Sequence, residues 1–251
     1  MTTDKLYNDP ELAQFYDIEN EWSAACDYVL KLSEDAQSVL DIGCGTGLLA
    51  ATIAGDGIKR VTGVDPAQPM LDIAAGRQGG ERVTWVRSDA ASLDLGEKFD
   101  LIVLSGHAFQ VFLNADEQLA CLQTIARHLS PAGKFIFDSR NPSTEEWREW
   151  IPEESRHVIE HPDFGAVNSW NDVTFDPQAM IVEYGTYYEV AANSKLFSSK
   201  SRIAFPSQAQ IAALMAQAGL QADRWLGDWQ GNLYQDTSVE IIPLGSLKAD
   251  I

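Results

Sequence analysis

Residues 39–47 read VLDIGCGTG, and this stretch decides the fold. An apolar run ends in Asp41, glycines follow at positions 43, 45 and 47, and a stretch of helical character begins at Leu48. Glycine lets the chain turn sharply and approach a ligand without an intervening Cβ. The N–H groups at the start of a helix attract polar or anionic ligand groups. The stretch therefore predicts a strand, a ligand-binding turn and a helix.

The glycine spacing differs from that of dinucleotide-binding proteins. Their G-x-G-x-x-G/A pattern would place glycine or alanine at position 48, where this chain has Leu48. A nicotinamide-dependent dehydrogenase is therefore the disfavoured alternative.

Acidic residues also close the next two predicted strands. Asp65 ends the second, where a carboxylate can accept both hydroxyls of a ribose, although it could equally cap the helix that follows. Asp89 ends the third strand, where it could accept a hydrogen bond from an exocyclic amine. Because the carboxyl ends of parallel strands meet at one edge of a sheet, we expect a nucleoside-like ligand there.

Strands and helices alternate as far as Asp138, which predicts right-handed crossovers and a mostly parallel sheet. A helix over 115–129 should be closed by Ser130, Pro131 and Gly133. The predicted strands cover residues 38–42, 60–64, 82–87, 99–104 and 134–138, with two more over 220–225 and 239–242, the last ending at Pro243.

After Asn141-Pro142 the pattern changes to a period of two, with turn residues between the runs. We therefore expect an antiparallel insertion over 141–205, a helical cap over 1–35, and one α/β domain made of 36–140 and 206–251. The insertion is the predicted acceptor lid. Its aromatic and basic residues could line a pocket, form a small core or make a dimer contact: Trp170, Tyr184, Tyr187, Tyr188, Phe197 and Arg202.

The charge balance restricts the choice of partners. The chain carries 18 Lys and Arg against 37 Asp and Glu, a formal net charge of −19. Such a chain repels phosphate backbones and anionic lipids. With a polar start and no long apolar run, it is expected to be soluble and cytoplasmic, a monomer or homodimer without nucleic-acid or membrane partners.

Cysteines and histidines form no recognisable metal motif. Cys26, Cys44 and Cys121 are widely separated, so no disulfide framework is expected. His157 and His161 are four residues apart, but Pro162 and strand-like surroundings argue against a helical metal-binding pair. The sequence therefore predicts no metal-binding site.

Five segments in order resemble the motifs of the class I S-adenosylmethionine-dependent methyltransferases: VLDIGCGTG, VDPAQPML, VRSDAASL, FDLIVL and LSPAGKFIFD. The resemblance spans Val39 to Asp138. It implies a Rossmann-like α/β fold with a doubly wound, mostly parallel seven-stranded sheet, here with an antiparallel β insertion. It also implies S-adenosylmethionine as cofactor, S-adenosylhomocysteine as product and a small-molecule acceptor.

The resemblance also implies a set of cofactor-binding residues. Asp41 and the turn would surround the methionine part, Asp65 the ribose and Ser105 the sulfonium, while Tyr16 and Trp22 could close the site from the N-terminal helix. The complete set is Tyr16, Trp22, Asp41, Gly43, Cys44, Gly45, Gly47, Asp65, Pro66, Met70, Asp89, Ala90 and Ser105.

His107, just after the fourth strand, is the candidate general base, although a loop histidine that only shapes the pocket is the alternative. Base-flipping nucleic-acid methylation is disfavoured, because Ser105-Gly106-His107-Ala108 stands where such enzymes carry an Asn/Asp-Pro-Pro-aromatic motif. A non-catalytic sensor or assembly protein that binds S-adenosylmethionine is the second functional hypothesis.

Overall fold

The computed structural model describes residues 4–55 and 57–249, arranged around two β-sheets. The predicted boundaries at residues 1 and 251 lie outside this range. The strands are β1 (Ser38–Ile42), β2 (Arg60–Asp65), β3 (Val83–Arg87), β4 (Phe99–Leu104), β5 (Leu129–Phe137), β6 (Ser139–Arg140), β7 (His157–His161), β8 (Gly165–Asp176), β9 (Ile181–Val190), β10 (Leu196–Ala204), β11 (Leu220–Leu226) and β12 (Glu240–Leu247).

The central sheet has the strand order β11-β12-β5-β4-β1-β2-β3. Strands β1 to β5 pair in parallel, while β12 is antiparallel to both of its neighbours. Every residue of β1 is buried, as expected of a central strand covered on both faces. The predicted doubly wound α/β sheet is confirmed. Its strand order reverses between β1 and β4, so their carboxyl ends flank the crevice where such sheets bind ligands.

Nine α-helices surround the sheets within the described residues. Where the sequence predicts one or two helices between residues 11 and 32, the structure has three short ones, because Asn20 leaves the helical conformation and Ser23 begins a new helix. The helices are α1 (Lys5–Asn8), α2 (Pro10–Ala13), α3 (Tyr16–Glu19), α4 (Ala24–Leu32), α5 (Leu48–Ile53), α6 (Gln68–Gly76), α7 (Ala115–His128), α8 (Pro152–Ser155) and α9 (Gln208–Gln217). None of those described is long and apolar enough to cross a membrane.

Strand β5 begins five residues before its predicted start. Leu129 pairs with Phe99 and Lys134 pairs with Leu101, so the residues between them bulge out of the ladder opposite a single residue of β4. The predicted turn residues Pro131 and Gly133 lie in this bulge. The turn chemistry was predicted correctly, but the pairing on either side depends on β4 and could not be inferred locally.

The prediction that Pro243 ends the last strand is wrong. Pro243 lies inside β12 and pairs with Trp225 of β11. On its other edge, β12 pairs with β6 through Ile241 and Ser139 and with β5 through Leu244 and Ile136. The register is the same for both pairs, but the ladder is interrupted between them. Proline has no N–H to donate there, so the missing bonds coincide with the break between β5 and β6 at Asp138.

The second sheet is an antiparallel meander in the order β10-β9-β8-β7. One face is buried against the N-terminal helices and the segment before α8. At one end of this inner face Phe15 is fully buried among Tyr188 and Phe197, and at the other Trp147 packs with Phe175 and Phe205. Trp170 and Tyr187 stack on the outer face, with ring centroids 5.3 Å apart.

Candidate active site

The loop after β1 turns through left-handed backbone conformations. Gly43, Gly45 and Gly47 have φ values of 69°, 54° and 75°. The N–H groups of Gly43 and Cys44 both donate to the carbonyl of Val64, at 2.7 and 3.0 Å, which joins the loop to the end of β2. L-residues with side chains adopt this region only at a cost, so the sequence requires glycine here.

The third glycine serves packing. A Cβ at Gly47 would lie 2.4 Å from the Trp85 ring and 2.8 Å from the Ala74 Cβ. The α-hydrogen that stands in place of a side chain at Gly47 therefore points into the interior, and its small size allows α5 to pack close to the sheet. The sulfur of Cys44 is also directed inwards, 3.1 Å from where a Cβ of Gly63 would be.

Asp65 connects the loop to the start of α6. One carboxylate oxygen accepts from the Gly45 N–H at 3.0 Å and the other from the Ala67 N–H at 2.8 Å. The two uses predicted for Asp65, helix cap and ligand contact, are therefore compatible: each oxygen keeps a lone pair for a hydroxyl group.

Asp41 lies beside Asp65 and is almost completely buried, with 3% of its surface exposed. Burial, together with the nearby Asp65 charge, raises the pKa of Asp41 to about 7. Burial also raises the pKa of Asp65. No described cationic side chain forms an ion pair with either residue. A cationic ligand would offset this concentration of negative charge.

Helix α3 covers the glycine loop. The Tyr16 hydroxyl lies 3.5 Å from where a Cβ of Gly45 would be. Asp17 accepts from the Thr46 hydroxyl at 2.5 Å and forms an ion pair with Arg77, whose Nε donates to the Thr46 carbonyl at 3.0 Å. Sequence reasoning identified Tyr16 but missed Asp17, Thr46 and Arg77. No local signal distinguished Asp17, because Glu19, Asn20 and Glu21 beside it are also polar.

The other predicted cofactor residues occupy different settings. Met70 is buried against Ala13 and Tyr16, whereas Pro66 is exposed. Asp89 is half-buried and accepts from the Ala91 N–H at 2.8 Å; Ala90 packs on the main core, and Ser105 is half-buried at the end of β4.

Trp22 borders an open groove of about 390 Å³ that Leu48 and Arg77 also line, and its indole donates to Asp27 at 2.7 Å. The structure thus brings Tyr16 onto the glycine loop and Trp22 to a groove beside the end of that loop. Its cofactor role stays a prediction.

His107 lies among carboxylates at the neighbouring strand ends. Its backbone φ is 60°, and its N–H donates to Asp138 at 2.9 Å. Its ring Nε2 lies 2.8 Å from an oxygen of Glu240 and 3.8 Å from Asp138. Sequence reasoning missed both acids. Asp138 follows a parallel strand as Asp65 does, so the same rule would have found it, whereas Glu240 is distant in sequence.

Arg140 is held by protein contacts. It donates to the buried Gln110 side chain at 3.1 Å and to Glu146 at 3.1 Å, and lies 5.0 Å from the Trp150 ring centroid. Its ion pair with Glu146 is therefore a structural salt bridge.

Three tyrosines lie between the glycine loop and the inserted sheet. Tyr7 and Tyr16 meet edge to face with centroids 6.1 Å apart. The nearby Tyr184 hydroxyl, followed by burial, raises the pKa of Tyr7, and burial raises the pKa values of Tyr16 and Tyr184. All three residues keep some accessible surface. They therefore lie together between the N-terminal helices, the glycine loop and the inserted sheet.

Comparison with known proteins agrees with this geometry. The family model described as "Methyltransferase domain" matches residues 39–133, which contain the glycine loop, Asp41 and Asp65. The CcbJ methyltransferase of Streptomyces caelestis superimposes with a TM-score of 0.78 at 22% identity, over 97% of this chain and 98% of that one.

The resemblance to the class I S-adenosylmethionine-dependent methyltransferases is confirmed for residues 39–133 and for the fold.

Curated proteins are similar to part of this chain. The cypemycin N-terminal methyltransferase of a Streptomyces species is 35% identical over 109 residues, 43% of this chain and 44% of its own. A dTDP-4-amino-2,3,4,6-tetradeoxy-D-glucose N,N-dimethyltransferase from Saccharopolyspora spinosa is 29% identical over 145 residues, 54% of this chain and 57% of its own. The chain therefore spans about half the length of these curated relatives.

Proposed function

We propose that this chain transfers a methyl group from S-adenosylmethionine to a small-molecule acceptor bound between the glycine loop and the inserted sheet. The observation that carries the proposal is the bond between Asp65 and the Gly45 N–H. It places a buried carboxylate directly beside a loop free of side-chain bulk, at the crevice where the strand order reverses.

The residues present fit this cofactor. Bound S-adenosylmethionine supplies a methyl group already activated by its cationic sulfur. Asp65 would hold the ribose hydroxyls, and the buried negative charge of Asp41 suits a ligand that carries both an ammonium and a sulfonium. Tyr16 would cover the loop from above. The protein's main task is then alignment of acceptor and cofactor, which can contribute about 7–11 kcal/mol.

We further propose that the acceptor group is an amine. Tyr7, Tyr16 and Tyr184 lie close together between the glycine loop and the inserted sheet, and the half-buried carboxylate of Asp4 lies close enough to affect Tyr7 and Tyr184 electrostatically. Aromatic faces and carboxylates together favour cationic ligands. Two of the relatives named above are described as methylating an N-terminus and an amino sugar, which supports the same class.

Calorimetry tests the first step. Purified protein should bind S-adenosylmethionine and S-adenosylhomocysteine, and Asp35→Asn, an exposed change, should bind both normally. The absence of heat and of a thermal shift with both ligands would overturn the assignment.

A panel of amines, phenols and carboxylates then tests acceptor class, with S-adenosylhomocysteine release as the readout. We expect turnover with amines. Tyr184→Phe should raise the acceptor KM, while Tyr187→Phe, on the outer face, should leave it unchanged. Cofactor binding without turnover on any class would instead favour the sensor hypothesis.

We separately propose that His107 acts as a general base. His107→Ala should then lower turnover by roughly 10²–10⁴-fold and remove an ionisation from the pH profile. Unchanged turnover and pH profile would exclude the role.

A further inference from the structure

We propose that His107, Asp138 and Glu240 form a binding site for one divalent transition-metal ion such as Mn²⁺ or Zn²⁺. The three residues come from the ends of β4 and β5 and from the start of β12. Each offers one donor atom, and these atoms lie within 4.8 Å of one another. Imidazole nitrogen and carboxylate oxygen are established ligands of both ions.

The distances suit a shared ion. Two donors that each lie about 2.0–2.2 Å from one metal can be at most about 4.4 Å apart. The His107 Nε2 lies 2.8 Å from Glu240 and 3.8 Å from Asp138. Small side-chain adjustments would therefore bring all three donors into coordination.

A second observation points to a missing cation. The Oε2 atom of Glu240 is buried and has no hydrogen-bond partner among the described residues. A buried carboxylate oxygen without a partner is unfavourable, and an ion is one of the few ways to satisfy it. The hydrogen bond to His107 accounts for Oε1 alone.

Within the described residues, His107 and Arg140 are the cationic groups that act on Asp138, and neither bonds to the Oε2 atom of Glu240. The Arg140 guanidinium is directed instead at Gln110, Glu146 and the Trp150 ring. Asp138 is 2% exposed at its side chain and Glu240 is 14% exposed, so water screens the pair poorly.

The backbone holds this arrangement in place. His107 adopts a left-handed φ of 60°, which is uncommon for a residue with a side chain, and its N–H is bonded to Asp138. Pro243 interrupts the sheet next to Asp138, so β5 and β6 separate where the carboxylate turns towards His107.

The proposed site leaves coordination positions open. Three protein ligands are typical of sites that also bind water or substrate. Ala108, next to His107, lies 3.1 Å from where a Cβ of Gly43 would be, so the cluster borders the glycine loop. If the proposed methyl transfer is correct, the ion would bind an oxygen or nitrogen of the acceptor, and metal-bound His107 would act as a ligand in place of the general-base role. Metal binding itself does not depend on that function.

Mn²⁺ titration followed by electron paramagnetic resonance tests the proposal without any acceptor. The protein is first stripped with a chelator and kept at high salt, which screens weak binding to the acidic surface. We expect one saturable Mn²⁺ per chain, displaced by Zn²⁺. His107→Ala and Glu240→Gln should each weaken binding at least about tenfold.

His157→Ala is the matched control, because His157 also pairs with a glutamate but is half exposed and has no second carboxylate partner among residues 4–55 and 57–249. It should bind Mn²⁺ like the wild type. Thermal shifts with S-adenosylhomocysteine show whether each variant is folded and whether the cofactor site is intact. Absence of a one-to-one Mn²⁺ site, or wild-type affinity in His107→Ala, would overturn the proposal even if the cofactor binds normally.

Discussion

Two carboxylates placed side by side are the central feature at the scale of single residues. Asp65 accepts two backbone N–H groups, which offsets part of its burial, whereas the pKa of Asp41 is raised by burial and by the charge of Asp65. A polar residue held in an unfavourable state is common at functional sites. The sequence predicted both acids as site residues, but their mutual effect depends on the pairing of β1 with β2.

Asp65→Asn should weaken S-adenosylhomocysteine binding by roughly tenfold or more. An amide offers one acceptor oxygen where the carboxylate has two, and charged hydrogen bonds contribute about 1.5–3 kcal/mol. Isothermal calorimetry measures the change, with the exposed Asp35→Asn as control. Equal affinities for the two variants would contradict the ribose role.

The pKa of Asp41 predicts how stability depends on pH. Its folded value is raised from 3.8 to about 7, so the folded chain holds this proton more tightly than the unfolded chain. The stabilisation is therefore complete below about pH 4 and is lost as the pH rises through 7. Urea unfolding without cofactor should show this decline, and Asp41→Asn should remove it.

Cofactor binding should depend on pH in the opposite sense. A cationic ligand favours ionised Asp41, so S-adenosylmethionine affinity should increase as the pH rises through 7. Calorimetry on the wild type and Asp41→Asn checks this, and a slope shared by both proteins would point to another group.

At the scale of elements, hydrophobic periodicity predicted the central strands and helices closely, because the buried apolar residues of each element recur with the period of a strand or of a helix. It failed where pairing decided the outcome. The bulge of β5 is set by β4, and Pro243 is tolerated within β12 because it faces the break beside Asp138. Helix α3 was also not foreseen as a separate element, since four residues carry too little pattern.

Asp17→Ala should loosen α3 without unfolding the protein. The Asp17 side chain is 40% exposed, so its ion pair with Arg77 contributes about 0–1 kcal/mol to global stability. Hydrogen exchange over residues 16–23 should nevertheless become faster, because the tie to Thr46 is lost. Arg82→Ala, which removes an exposed ion pair with Glu81, is the control. Unchanged exchange would show that Tyr16 and Glu19 hold the helix without Asp17.

At the scale of the whole molecule, the two sheets are joined through the N-terminal segment. Phe15 is fully buried and stacks on Tyr188 of the inserted sheet, with centroids 4.2 Å apart. The sequence predicted that this segment forms a helical cap. It did not predict the contact between Phe15 and Tyr188, because about 170 residues separate the two rings in the chain. The same limit hid the pairing of His107 with Glu240.

Phe15→Ala should lower the free energy of unfolding by about 3–5 kcal/mol, the usual cost of removing a buried phenylalanine. Chemical denaturation followed by circular dichroism measures it. Val158→Ala, on a side chain that is 61% exposed, should change stability by less than about 0.5 kcal/mol. A loss below about 1 kcal/mol for Phe15→Ala would mean that the sheets are not joined through this ring.

Helix α3 has a kinetic consequence. Its four residues carry Tyr16 above the glycine loop, Asp17 bonded to Thr46, and Glu19, which accepts from Ser169 of the inserted sheet at 2.6 Å and pairs with His157. One movement of this segment would uncover both halves of the crevice together. Spent cofactor and modified acceptor would then leave through a shared exit, and the opening rate of a single helical turn would set the upper limit on turnover.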